Sequence, residues 1–238
     1  MNVTACLEII NNRLKELPLN QEPKNLYEPM EYMLCLEPQR LYSLLTLWGC
    51  YLFSGDYQKA VTPSLGVEVF FNFLRLHSDL LDDNRQHSGI ESVPVKWNRN
   101  VAILSGDAMI FKAYELLIQV EPHLVKPVVK KFNHCFTKVC EGKQLLLNEH
   151  GKTPDPEILH QRPGSLGEFS LQLGAMIARA DPEQLDQIGR LGTEVAVCIT
   201  SSGRDRLNHS FAHSLSRLRC PQDRKQEFEQ WLNVISNF

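Results

Sequence analysis

The chain has 238 residues, 43% hydrophobic and 22% charged, with a formal net charge of −3. That length can bury a sizeable core, and residues 1–238 are expected to form a single domain. The charge balance gives no electrostatic reason for a nucleic-acid partner, and no apolar run reaches the length of a membrane span. Met1-Asn2-Val3 leads into Glu8, Asn11 and Asn12 without a basic or apolar leader, so no secretory signal is expected. Seven cysteines with no CxxC pair read as buried thiols of a cytoplasmic protein.

In chain order, Leu41 to Phe53 places Leu44, Leu45, Trp48, Tyr51 and Leu52 at three- and four-residue steps, the period of a helical face. Leu65 to Leu81 repeats the pattern through Val69, Phe70, Phe73, Leu76 and Leu80. Asn100 to Val120 and Pro127 to Leu147 follow, the latter with Pro127 expected in the first turn, where a missing N–H does no harm. Leu166 to Ala180, Pro182 to Thr200 and Pro221 to Phe238 complete the series, with Asp181 as the cap before Pro182. Val195 to Thr200 is rich in β-branched residues, but Gln184, Leu185, Ile188, Leu191, Val195 and Cys198 carry a helical period into it. The expected fold is all-α, with about eight to ten helices.

The most suggestive patch is His77-Ser78-Asp79-Leu80-Leu81-Asp82-Asp83-Asn84, at the end of an apolar helix. Continued as a helix, Asp79, Asp82 and Asp83 share one face, where carboxylates repel one another unless a cation sits among them. A solvated acidic helix end is the plain alternative. His209 and His213 have a zinc-like spacing without the Glu or third ligand of a metal motif, and read as surface histidines.

A wider pattern surrounds the acidic patch. Leu76-His77-Ser78-Asp79-Leu80-Leu81-Asp82, then Gly89, Trp97 and Ala102-Ile103-Leu104-Ser105-Gly106-Asp107, resembles the first aspartate-rich region of the trans-isoprenyl diphosphate synthases. Lys24 to Pro29, Cys140-Glu141-Gly142-Lys143-Gln144, Leu173-Gly174-Ala175 and Gly192 extend the resemblance over most of the chain. It implies an all-α isoprenoid-synthase-type bundle. In that family Mg²⁺ held between two aspartate-rich walls grips an allylic diphosphate, which ionises and is attacked by isopentenyl diphosphate.

The residues that the resemblance would assign to that chemistry are altered at several separate sites. The isopentenyl-diphosphate motif falls on Glu37 to Ser43, where Arg40 survives but Gln39 and Tyr42 replace Lys and Arg, and Glu37 adds a repelling charge. Ser78 replaces the first Asp of the first metal motif, and His87-Ser88 replaces an Arg pair, with Arg85 nearby. A His position becomes Pro94, and a Lys-Thr pair becomes Arg162-Pro163. The second metal motif falls on Thr200-Ser201-Ser202-Gly203-Arg204, without either carboxylate. Several of the family's later helices have no counterpart before Cys220-Pro221, so the bundle is expected to be shortened in its C-terminal third.

The resemblance leaves Arg40, Arg85, Lys143, Gln144 and Arg162 as residual diphosphate contacts, and Asp79, Asp82 and Asp83 as a weak residual metal set. Without Mg²⁺ those acids need another counter-charge, for which Arg204 or Arg206 is the candidate. We therefore expect a member without normal chain elongation and without a resident cofactor, acting as partner or regulatory subunit of a complete prenyl synthase. Homodimer or heterodimer contacts are expected on Asn100 to Val120, through Ala102, Ile103, Ile110, Phe111 and Tyr114. The alternatives are an active prenyltransferase using an allylic diphosphate, isopentenyl diphosphate and Mg²⁺, and an isoprenoid-binding protein.

Overall fold

In the computed structural model of the chain, eleven α-helices account for most of the described residues. Residues 1–36, 39–87, 89–148, 156–200 and 207–236 are described. The helices are α1 (Val3–Lys15), α2 (Lys24–Cys35), α3 (Leu41–Ser54), α4 (Val61–Leu81), α5 (Val93–Lys96), α6 (Arg99–Leu117), α7 (Pro122–Asn148), α8 (Pro156–Ile177), α9 (Pro182–Thr200), α10 (Leu207–Ser216) and α11 (Gln222–Ser236). A 3₁₀ turn spans Gln58–Ala60, and a two-residue hairpin pairs β1 (Gln86–His87) with β2 (Ile90–Glu91). The all-α expectation holds, with more helices than periodicity alone predicts.

The chain divides into two compact units. One comprises Asn2–Ser43 and Thr62–Gln119. Its α1 starts at an Asn2 cap whose side chain accepts from the Ala5 N–H at 3.1 Å, and buries Cys6, Ile10 and Leu14 on one stripe. Asn98 caps α6 in the same way, accepting from Val101 N–H at 2.9 Å. On α4, Leu65, Val69, Phe70, Phe73, Leu76 and Leu80 are buried, as their spacing requires. Gly66 lets α4 approach α6 closely, since a Cβ there would lie 2.9 Å from the Ala113 carbonyl.

The other unit comprises Met1, Leu44–Val61 and Val120–Phe238. The α3 segment is apolar nearly all round and therefore sits in its core. Trp48 packs on Phe228 at 5.1 Å and on Trp231 at 5.6 Å between ring centroids. Gly167 of α8 and Gly192 of α9 face each other so closely that a Cβ on either would meet the other's carbonyl oxygen. Asp181 caps α9 as predicted, accepting from Gln184 N–H at 3.1 Å.

Among the helix starts that differ from expectation, two lie at prolines. Pro122, not Pro127, opens α7, and Pro127 lies within the helix. Likewise α8 begins at Pro156, ahead of the predicted Leu166, and runs through Pro163. Each internal proline removes one backbone bond, a cost the packing of these helices offsets.

The thiols are not uniformly buried either. Cys6, Cys50 and Cys135 are buried, but Cys35 and Cys140 are exposed. Burial pushes the Cys50 thiol up to about 11, so it is inert at neutral pH.

Candidate functional site

The acidic patch ends α4, and its geometry departs from a continued helix. The helix stops at Leu81, and Asp83 takes a left-handed conformation with φ 49°. The Asn84 N–H then reaches back to the Asp79 carbonyl at 3.0 Å, closing a Schellman-type turn. Asp79, Asp82 and Asp83 consequently do not line one face. Asp79 is fully buried and accepts from the Asn84 side-chain amide at 3.4 Å, whereas Asp82 and Asp83 are exposed.

The countercharge seen on this patch was not anticipated from sequence. Arg99, the first residue of α6, donates to Asp83 at 2.8 Å and to the Leu80 carbonyl at 3.4 Å. Its guanidinium thus neutralises one acid and caps the last turn of α4. The signal available beforehand was weak: an Arg one position after a capping Asn, 16 residues from its acid. Both partners are largely solvent-exposed, so the pair contributes at most about 1 kcal/mol. Arg85 is exposed in the same unit. Arg204 and Arg206 lie outside the described residues.

His77 packs its ring against Phe73 at 4.4 Å and over Gly106, where an added Cβ would collide with it. Burial lowers its pKa despite the nearby Asp107 carboxylate and the Ile103 backbone, and its Nε2 is buried without a hydrogen-bond partner. Neutral imidazole is therefore the form this packing accommodates.

Arg40, the surviving basic residue of the isopentenyl-diphosphate motif, is only 4% exposed and has φ 50°. Its Nε donates to Asn11 at 2.9 Å, and its two terminal nitrogens donate to Glu68 at 3.1 Å and to the Leu34 carbonyl at 2.6 Å. Glu68 is fully buried and also accepts from Ser43 at 2.8 Å and Asn72 at 3.2 Å. Arg40 thereby ties α1, α2 and α4 together, and a diphosphate would have to displace a buried carboxylate to reach it. Tyr42, where the motif would have its second Arg, is buried against Phe71 at 4.9 Å.

The remaining candidates belong to the other unit. Gln144 is exposed and donates to Asn148 at 3.0 Å within α7. Lys143 is half-buried. Arg162 lays its stem against Gly142, where a Cβ would lie 3.3 Å from its Cγ, and its charge opposes the burial that raises the Cys140 pKa. His213 is exposed on α10, and the side chain of His209 lies outside the described residues.

Residues 23–198 match the family described as Polyprenyl synthetase. The chain belongs to that family. Over 181 residues it is 25% identical to the geranylgeranyl pyrophosphate synthase of Geoglobus acetivorans, a match covering 73% of this chain and 57% of that protein. Over 207 residues it is also 25% identical to the heterodimeric geranylgeranyl pyrophosphate synthase small subunit, chloroplastic, of Arabidopsis thaliana, covering 82% and 63% respectively. The chain thus spans less than two thirds of the length of either relative.

The fold is shared with the solved geranylgeranyl pyrophosphate synthetase of Geoglobus acetivorans, at TM-score 0.79 and 20% identity, covering 99% of this chain and 86% of that one. It is shared as well with a mint heterotetrameric geranyl pyrophosphate synthase deletion mutant, at TM-score 0.78 and 16% identity, covering 99% and 98%.

A Mg²⁺ cluster needs several hard oxygen ligands in near-octahedral array. Asp79 is buried, Asp82 lies beyond the helix end and Asp83 is engaged by Arg99. Among the described residues no group of three or more His, Cys, Asp or Glu could hold a metal ion. The described acidic patch does not fit such a cluster. Nor, among the described residues, is any helix long and apolar enough to cross a membrane.

Proposed function

We propose that this chain is a subunit without chain-elongating activity of its own, which pairs with a complete prenyl synthase and alters its output. The observation that carries the reading is the outer face of α6. Leu104, Phe111 and Ile118 recur every seven residues and are 60%, 74% and 43% exposed, with Ile103 beside them at 44%. Large apolar side chains aligned along one helix are the pattern of an interaction face. The opposite face of α6 is occupied by its own unit, through the buried Ala102, Ser105, Gly106, Met109, Ala113 and Leu117.

A second prenyl-synthase chain is the occupant we infer. Two of the proteins this chain resembles are named for heteromeric assembly, one as a small subunit and one as part of a heterotetramer. The absence of independent turnover is supported by Arg40, whose charge is consumed internally by Glu68, and by Ser78, which leaves the aligned metal motif one carboxylate short. In this reading Arg85 in one unit and, separately, Lys143, Gln144 and Arg162 in the other are each at most weak contacts for an isoprenoid diphosphate. A single domain spanning residues 1–238 and action in the cytoplasm belong to the same proposal.

The test is direct. Purified chain given Mg²⁺, isopentenyl diphosphate and geranyl or farnesyl diphosphate should release no pyrophosphate and form no longer product. A complete prenyl synthase from the same genome, co-expressed with it, should co-purify. Turnover by the chain alone that disappears in Asp79→Asn would overturn the reading.

A further inference from the structure

A second feature of the Asn2–Ser43 and Thr62–Gln119 unit lies away from both the acidic patch and the α6 stripe. Between α1 and α2 is a cleft of about 350 Å³, a volume within the range of small-molecule sites. Leu14, Leu17, Leu19 and Leu34 supply its apolar lining, and three of the four are nearly fully buried. Lys15 and Asn11 on α1, Glu31 and Cys35 on α2, and Asn20 between the helices, which accepts from Lys24 at 2.6 Å, supply the polar lining.

The cleft is preformed. Arg40 lines it too, and its bonds to Asn11 on α1 and to the Leu34 carbonyl on α2 fasten the two helices to one another. A site held open in this way requires little ordering when a ligand enters.

The charges around the cleft select the ligand's chemistry. The Arg40 charge is matched by Glu68, and Asn11 has its carboxamide oxygen on Arg40, leaving its N–H groups to donate. Among the described residues Lys15 and Glu31 have no ion-pair partner, and they bring one charge of each sign. A diphosphate needs several cations and would meet the Glu31 carboxylate. An uncharged polar end can accept from Lys15 or Asn11 and donate to Glu31.

We propose that the α1–α2 cleft binds a small uncharged amphiphile, an apolar chain ending in a hydroxyl or amide. The proposal rests on this cleft alone and is independent of the subunit reading. Geraniol serves as the probe and geranyl diphosphate as its charged counterpart. Cys35 lines the cleft and is exposed, whereas the partly exposed Cys220, between α10 and α11, serves as internal control.

Alkylation followed by residue-resolved mass spectrometry reads occupancy at each thiol. Geraniol should slow Cys35 alkylation saturably, by about tenfold, and leave Cys220 unchanged, while geranyl diphosphate at equal concentration should protect neither. Leu17→Trp, which fills the cleft, should raise the geraniol concentration for half-protection about tenfold. Equal slowing of both thiols, protection by the diphosphate as strong as by geraniol, or undiminished protection in Leu17→Trp would each overturn the proposal. If Leu17→Trp does not fold, the comparison of the two probes on the wild-type chain decides alone.

Discussion

Replacing Arg40 with Met would leave the fully buried Glu68 carboxylate without its guanidinium, a change that costs about 3–5 kcal/mol when a buried pair is broken. Urea unfolding should register that loss, and the double variant Arg40→Met with Glu68→Leu should recover most of it, because no charge then remains buried. Equal destabilisation by the single and double variants would show that the pair itself is not what matters. His77 gives a pH-dependent counterpart. Its pKa in the folded chain is lowered, so the unfolded chain takes up a proton that the folded chain resists. Its contribution to stability is therefore fully present above the ordinary histidine value of about 6.5 and declines as pH falls from there toward the lowered folded value. Urea midpoints measured between pH 7.5 and pH 5, both set at roughly one unit or more from that value, should fall less steeply for His77→Gln than for wild type. Sequence comparison alone marks Arg40 as an anion-binding remnant, because an aligned position carries no information about which way a side chain turns. The positive φ at Arg40 and the buried Glu68, 28 residues further on, determine its role.

At the scale of elements, α8 and α9 depend on the paired glycines. Gly167→Ala or Gly192→Ala would push a methyl group into the opposing backbone and should destabilise the fold by about 1–3 kcal/mol, read by thermal unfolding. An unchanged melting temperature would mean the two helices separate more easily than their packing implies. The helices α3, α4 and α9 were legible because their apolar residues recur at helical spacing and are in fact mostly buried. Short or polar helices were not: α1 buries only Cys6, Ile10 and Leu14, too few to stand out among its polar residues. The acidic patch was legible as a cluster but not as a geometry. Asp and Asn are the non-glycine types most tolerant of positive φ, but with Asp82, Asp83 and Asn84 in a row residue type does not say which one turns, so the helix end at Leu81 could not be placed. Arg99 escaped notice for the related reason that the turn after α4 brings it back to Asp83. On α6, sequence periodicity places apolar residues all round the helix, and the structure shows which of them remain exposed. Phe111→Glu adds a charge at the most exposed of these positions and should leave the chain folded while abolishing co-purification with its partner. Retained association would exclude α6 as the interface.

At the scale of the whole molecule, family membership and fold do not by themselves decide whether a chain catalyses, since function resides in the site. Here Arg40, the cation left in the isopentenyl-diphosphate motif, is paired with Glu68, and Asp83, next to the aligned metal-motif aspartates Asp79 and Asp82, is paired with Arg99. An apolar face, by contrast, is presented outward on α6. The account's central claim is that the chain works through a partner rather than alone. The most direct measurement is the product distribution of a complete prenyl synthase from the same genome, supplied with Mg²⁺, isopentenyl diphosphate and an allylic diphosphate. It should be made with wild-type chain, with Phe111→Glu and with neither added. We predict that the wild-type chain shifts product length or rate, and that Phe111→Glu leaves the synthase as it is alone. A distribution indifferent to the wild-type chain, together with elongation by that chain on its own, would contradict the account.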